Sequence, residues 1–262
     1  MSAASKWDDL ARRLISAAAL AVIGLSAVSA GGGALTLLAG IAVGLMIWEL
    51  ARLCDASGPR AAVWAGGLAV ISLWLVIVQH APLWLALLAL PPLVGAVLVR
   101  RDRAVFVVYA GAVMATGYGI VAFREAIGLG FVGWVLAVVV ISDVLGYFAG
   151  RLIGGPKFWP RVSPKKTWSG TVAGWAGAAL VGLGFVLWVG APGWLVALSP
   201  LLAFAAQLGD IGESAIKRRA GVKDASALLP GHGGLLDRFD GLIGAVVFLL
   251  LWAHLMPLPL FG

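Results

Sequence analysis

The stretch LLPGHGGLLDRFD, Leu228 to Asp240, holds a Pro, three Gly, a His, two Asp and an Arg in a chain that is 61% hydrophobic. Asp237 and Asp240 stand at i and i+3 with Arg238 between them. Two carboxylates one helical turn apart can share a divalent cation, and hard oxygen ligands suit Mg²⁺, which keeps waters and substrate phosphates as its other ligands. Pro230, Gly231, Gly233 and Gly234 permit a tight turn that exposes backbone N–H groups, with His232 either packing that loop or serving the chemistry. The preceding run, FAAQLGDIGESAIKRRAGVKD, puts Asp210, Ser214 and Lys217 on one helical face, with Gln207 on the same stripe. Amide, carboxylate, hydroxyl and ammonium together make one wall of a polar cleft, which Arg218 and Lys223 extend toward the headgroups. The alternative is an amphipathic helix exit whose cations touch anionic lipid.

Further upstream, GRLIGGPKFWPRVSPKKTWSG has many turn formers and five basic residues. Lys165 and Lys166, followed by Thr167 and Ser169, lie where a helix should begin. Free N–H groups and the positive end of a helix dipole suit phosphate; equally, cytoplasmic loops of membrane proteins collect such charges. Asp143 lies within an apolar run, where a carboxylate is expensive and faces a cavity or a partner. It either serves a site or anchors a neighbouring helix, while Gly146 and Gly150 thin the same helix face for close packing. Glu49, three residues before Arg52, is expected to pair with it and to be structural.

The elements that must position these groups are apolar blocks of membrane-crossing length, which is roughly 17–25 residues. Nine are legible: Leu14–Ala30, Ala34–Leu53, Ala61–Gln79, Pro82–Val99, Ala104–Phe123, Phe131–Gly150, Thr171–Gly190, Pro192–Gly209 and Gly241–Leu260. Only 12% of residues are charged, against about 25% in soluble domains. The expected fold is an all-α polytopic integral membrane protein. With the N-terminus cytoplasmic and the C-terminus outside, Arg124 alone among the 19 basic residues falls on the outer side, the bias of the positive-inside rule. The net charge of +7 is therefore a topology signal and does not point to nucleic acid.

The run ending in SAVSAGGG has the small residues of a signal-peptide cleavage site, but the next apolar run follows almost at once, so a first span is expected. Cys54 is the lone cysteine, leaving no intrachain disulfide and no thiolate metal cluster. Short turns at Gly31–Gly33 and His80–Ala81 predict antiparallel hairpins, and Pro91 with Pro92 predicts a kink in the fourth span. Trp7, Trp48, Trp84, Trp134 and Trp194 read as interfacial anchors. The chain is expected to form a single membrane domain over 1–262, with spans of low motif content over 1–130 and the catalytic spans and loops over 131–262.

SAIKRRAGVKDASALLPGHGGLLDRFD, Ser214 to Asp240, resembles the hallmark motif of the phosphatidate cytidylyltransferases: S-x-x-K-R, four residues, K-D, then P-G-H-G-G-x-x-D-R-x-D. The runs SD…Y…GR…G, SPKKTW and QLGD are similar to further blocks of that family, so the likeness covers Ser142 to Asp240. Two positions depart from it. Ser169 stands where Glu is common, which implies that position 169 is not essential to the chemistry, and DVLGY replaces DTGAY. The resemblance implies transfer of CMP from CTP to phosphatidate, giving CDP-diacylglycerol and pyrophosphate for phospholipid biosynthesis in a bacterial inner membrane, with the active site facing the cytoplasm. It implies catalytic roles for Asp210, Asp237, Lys217, Arg218 and His232, and substrate binding by Asp143, Lys165, Lys166, Thr167, Ser214, Lys223, Asp224, Gly233, Gly234 and Arg238. Mg²⁺ on Asp210, Asp237 and Asp240 is implied too, with a second, monovalent ion and a homodimer left open. The alternatives are a CTP-dependent lipid kinase of the polyprenol type, which would phosphorylate an alcohol, and a transporter, which would not need the Gly-His-Gly-Gly turn. A CDP-alcohol phosphotransferase would need a D-G-x-x-A-R pattern that the sequence lacks.

Overall fold

The computed structural model describes residues 3–55, 58–229, 231 and 233–259, with side chains from residue 16 onward. Its helices are α1 (Ala3–Ala30), α2 (Gly32–Cys54), α3 (Pro59–Gln79), α4 (Leu90–Leu98), α5 (Arg103–Ala126), α6 (Leu129–Leu152), α7 (Trp168–Val189), α8 (Leu195–Arg219) and α9 (Leu236–Leu255). Seven of them, all but α1 and α4, are long and apolar enough to cross a membrane. The chain is an all-α polytopic membrane protein with one small exception to its helical character.

Two of the nine expected runs differ from full-length spans. In α1 the apolar stretch with described side chains is Ser16–Ala30. The fourth run divides into a 3₁₀ segment, Pro82–Ala89, and the short α4. Pro91 and Pro92 sit in the first turn of α4, where a missing N–H is harmless, so they mark a change of helix type rather than a bend within one helix. The exception is an antiparallel hairpin in the basic loop, β1 (Lys157–Trp159) with β2 (Ser163–Thr167), pairing Lys157 with Thr167 and Trp159 with Ser163.

The chain forms two compact units, Met1–Val121 with Arg219–Phe239, and Ala122–Arg218 with Asp240–Gly262. In the first, α1 and α2 are joined through Gly31, whose φ of 66° favours glycine. α2 and α3 pack closely because a Cβ on Gly44 would come within 3.1 Å of the Gly66 carbonyl oxygen. Its core holds Ile47, Leu50, Leu73, Phe106 and Met114.

In the second unit α6 and α7 pack along one another, and the small-residue face expected on α6 is what allows it. A Cβ on Gly146 would lie 3.3 Å from the Gly170 carbonyl oxygen, and one on Gly150 would lie 2.8 Å from Thr167 Oγ1. Trp134 is not an interfacial anchor: it is fully buried and donates its indole N–H to Ser199 Oγ at 2.9 Å. Ser199 in turn donates to the Leu195 carbonyl at 2.8 Å, a satisfied pair joining α6 to α8.

Candidate active site

The second unit contains a polar cleft of about 490 Å³ whose walls carry Asp143, Arg151, Lys165, Lys166, Gln207 and Asp210. α6 supplies Asp143, which stands exposed on the wall, so it faces the cleft. The hairpin supplies the lysines: Lys165 and Lys166 lie on β2, which ends at the N-cap of α7. Thr167 is that cap, its Oγ1 accepting the Gly170 N–H at 3.2 Å. Ser169, the residue that replaces a Glu, donates its hydroxyl to the Gly154 carbonyl at 2.5 Å and lies 3.0 Å from Thr167 Oγ1. Here it ties the loop after α6 to the start of α7.

α8 provides the opposite wall. Lys166 Nζ is 2.6 Å from Asp210 Oδ2 and donates to the Gln207 carbonyl at 3.4 Å. Ser214 donates to Asp210 Oδ1 at 3.3 Å. Gln207 is held by α7, accepting from Trp175 Nε1 at 3.1 Å and donating to the Thr171 carbonyl at 3.5 Å. The expected stripe is therefore present from Gln207 through Ser214. Lys217, buried on the same helix, pairs with Glu213 one turn back, and Arg218 is exposed.

Asp210, Glu213 and Asp240 each bring a carboxylate oxygen within 4.8 Å of the others. Carboxylates gathered so closely repel, and a divalent cation relieves that conflict. Three hard oxygen donors of differing burial suit Mg²⁺, with its remaining positions left to water and phosphate. Asp210 and Asp240 were singled out in the sequence as candidate ligands, and the structure places them in one carboxylate cluster. Glu213 was visible only as an acid in the motif region, although its i+3 spacing from Asp210 was the available signal.

The rest of the motif belongs to the first unit. Leu229 pairs with Gly233, its N–H donating to the Gly233 carbonyl at 2.8 Å. Gly231 and Gly233 adopt φ of 76° and 83°, the left-handed region that explains glycine at both. His232 and Pro230 lie outside the described residues. Asp237 Oδ2 accepts the N–H of Gly234 at 2.7 Å and of Ala225 at 2.9 Å, and a Cβ on Gly233 would sit 2.7 Å from that same oxygen. Lys223, Asp224 and Arg238 are exposed.

Glu49 corrects the sequence reading. Instead of pairing with Arg52, it is fully buried and accepts from Ser226 Oγ at 2.6 Å, Leu235 N at 2.9 Å and Leu236 N at 2.7 Å. Arg52 lies over the Trp48 ring, 5.1 Å from its centroid. Partners so distant in sequence carry no local signal.

Beyond the polar cleft, α6 and α7 also line an almost wholly apolar groove through Ile141, Leu145, Gly177, Val181 and Phe185. Residues 11–256 match the cytidylyltransferase family. The chain belongs to that family. Among its relatives, the phosphatidate cytidylyltransferase of Brucella abortus is 47% identical over 137 residues, 52% of this chain and 51% of that protein. The phosphatidate cytidylyltransferase of Staphylococcus saprophyticus is 42% identical over 116 residues, 43% of this chain and 45% of that protein. The one from Staphylococcus aureus is 33% identical over 177 residues, 62% of this chain and 68% of that protein. The match thus spans about half the length of the Brucella relative.

Proposed function

We propose that this chain transfers CMP from CTP to phosphatidate, releasing pyrophosphate and forming CDP-diacylglycerol, as the names of its relatives indicate for those proteins. The observation that carries this reading is the joining of a basic cleft to a carboxylate cluster: Lys166 meets Asp210, which groups with Glu213 and Asp240. The polar cleft suits the phosphates, and the apolar groove on the same helices suits the acyl chains of a lipid substrate.

A phosphatidate oxygen attacks the α-phosphorus of CTP, and the bond to the bridging oxygen of pyrophosphate breaks. The attacking phosphomonoester has a second pKa of about 6 and is already mostly dianionic near pH 7, so no general base is required. What remains is to bring two polyanions together, a matter of positioning and charge neutralisation. Lys165 and Lys166 line the cleft where phosphate would lie, and Lys166 would exchange Asp210 for a substrate oxygen as CTP enters. Gln207, fixed from α7, keeps that lysine in place through its carbonyl. Asp210, Glu213 and Asp240 would hold Mg²⁺, with Asp237 as a further ligand on the strength of the motif. The ion would neutralise the triphosphate and stabilise the departing pyrophosphate.

We further propose nine crossings with the N-terminus inside, in a bacterial inner membrane, and the site on the cytoplasmic face where CTP is found. The fourth crossing is physically adequate. Eight 3₁₀ residues and nine α-helical residues, at rises of about 2.0 and 1.5 Å, span about 30 Å, the thickness of the hydrocarbon. A homodimer is the expected assembly, checked by the mass of the detergent-solubilised particle. Radiolabelled CTP tests the reaction itself. Label from the α-phosphate should enter lipid while pyrophosphate appears; γ-label in lipid would instead identify a lipid kinase.

A further inference from the structure

Glu49 lies near the C-terminal end of α2, is completely enclosed, and is not one of the motif residues. A buried carboxylate is unfavourable unless donors replace its water, and here both oxygens are engaged: Oε1 by Ser226 Oγ and the Leu235 N–H, Oε2 by the Leu236 N–H. Leu236 is the first residue of α9. The carboxylate therefore sits at a helix N-terminus, satisfying N–H groups that have no partner within the helix and lying at the positive end of its dipole. Glycine makes this approach achievable, since a Cβ on Gly234 would come within 2.5–2.9 Å of the Glu49 carboxylate atoms.

The next residue along α9 is Asp237, which bonds back to Gly234 and Ala225. The segment from Ser226 to Asp237 is thus held from one side by Glu49 and folded onto Asp237 from the other. We infer that Glu49 is a positioning residue for the transfer reaction proposed above: it fixes the start of α9, and with it the carboxylates of Asp237 and, one turn on, Asp240. With its oxygens occupied, Glu49 acts through those residues rather than on substrate or metal.

The test uses the full-length protein in detergent, comparing wild type with Glu49→Gln and Ser226→Ala. Glutamine keeps the size but turns an N–H₂ group toward a backbone donor. Misplacing catalytic groups by an ångström costs about 100-fold in rate, and that is the fall in kcat expected for Glu49→Gln. KM for phosphatidate should hold near the wild-type value, Mg²⁺ binding measured by calorimetry should weaken, and amide exchange at Leu235 and Leu236 should quicken. Ser226→Ala should shift the same quantities in the same direction, by less. Wild-type kcat and wild-type Mg²⁺ binding in a variant whose amides exchange faster would overturn the inference and leave Glu49 a purely structural group. Should Glu49→Gln fail to fold, Ser226→Ala decides on the same readouts. Absence of CMP transfer by the wild type would sink the proposed function alone. The Mg²⁺ titrations then judge Glu49 by themselves: weakened binding in the variants upholds its role, and unchanged binding overturns it.

Discussion

Asp210 and Asp237 have different neighbours: Asp210 has Lys166, Ser214 and the Glu213–Asp240 carboxylates, while Asp237 is held by backbone N–H groups of its own loop. If the two nevertheless serve one metal-dependent step, Asp210→Asn and Asp237→Asn should each abolish CMP transfer with little rescue by excess Mg²⁺. The double variant should then be no worse than either single, because groups acting as a unit are non-additive; additive losses in steady-state assays would separate their roles. Asp240→Asn, which the sequence alone suggests to be mild, is expected to be as severe as Asp210→Asn given its place in the cluster. Replacing both Lys165 and Lys166 by Gln should raise KM for CTP or phosphatidate while insertion is preserved, and unchanged kinetics per inserted molecule would reduce them to topology signals. Ser169→Ala should instead act on stability. Loss of its bond to the Gly154 carbonyl is worth about 1 kcal/mol, read from thermal melting in detergent, with kcat near wild type.

The helices show what patterning can and cannot disclose. Apolar runs located every long helix, and Gly146 and Gly150 correctly marked the face that α7 approaches. Because a Cβ on Gly170 would run into the Gly146 carbonyl, Gly170→Ala should destabilise by about 1–3 kcal/mol, the usual range for overpacking. A melting temperature equal to wild type would mean that α6 and α7 can separate without loss. The hairpin escaped because Lys157–Trp159 and Ser163–Thr167 are short, basic and interrupted by Pro, lacking the alternation that announces a strand. What holds it together includes the contact of Phe158 with Trp168 at 4.8 Å between ring centroids, a pairing local sequence does not advertise. The 3₁₀ segment Pro82–Ala89 was equally hidden, since uniformly apolar residues have no period to distinguish one helix type from another. Trp134 was misread for a related reason: proximity to a span end says nothing about which side of the helix a ring occupies. The site was more legible than its supports, because chemistry is carried by residue types that stand out in an apolar chain, whereas Glu213 and Glu49 acquire meaning only from their neighbours.

The chain leaves its first unit at Val121, returns at Arg219 and leaves again after Phe239, so neither unit is continuous in sequence. Charge placement predicts that a reporter fused after Gly262 behaves as non-cytoplasmic, and cytoplasmic activity there would contradict nine crossings. The bonds of Glu49 to Ser226, Leu235 and Leu236 bridge 177, 186 and 187 positions, which gives them a meaning in time as well as in space. At about 5–20 residues per second of synthesis, the ribosome makes Leu235 roughly 10–40 s after Glu49. Throughout that interval α2 carries a carboxylate whose donors do not yet exist, in a segment the translocation machinery must already release toward lipid. Nascent chains halted before Ser226 should therefore linger at the insertion machinery or be cleared by quality control. The same halted chains bearing Glu49→Leu should leave it sooner and survive longer. If so, the acid whose bonds secure the start of α9 in the finished protein would act during biogenesis as a checkpoint that only the last stretch of the chain can clear.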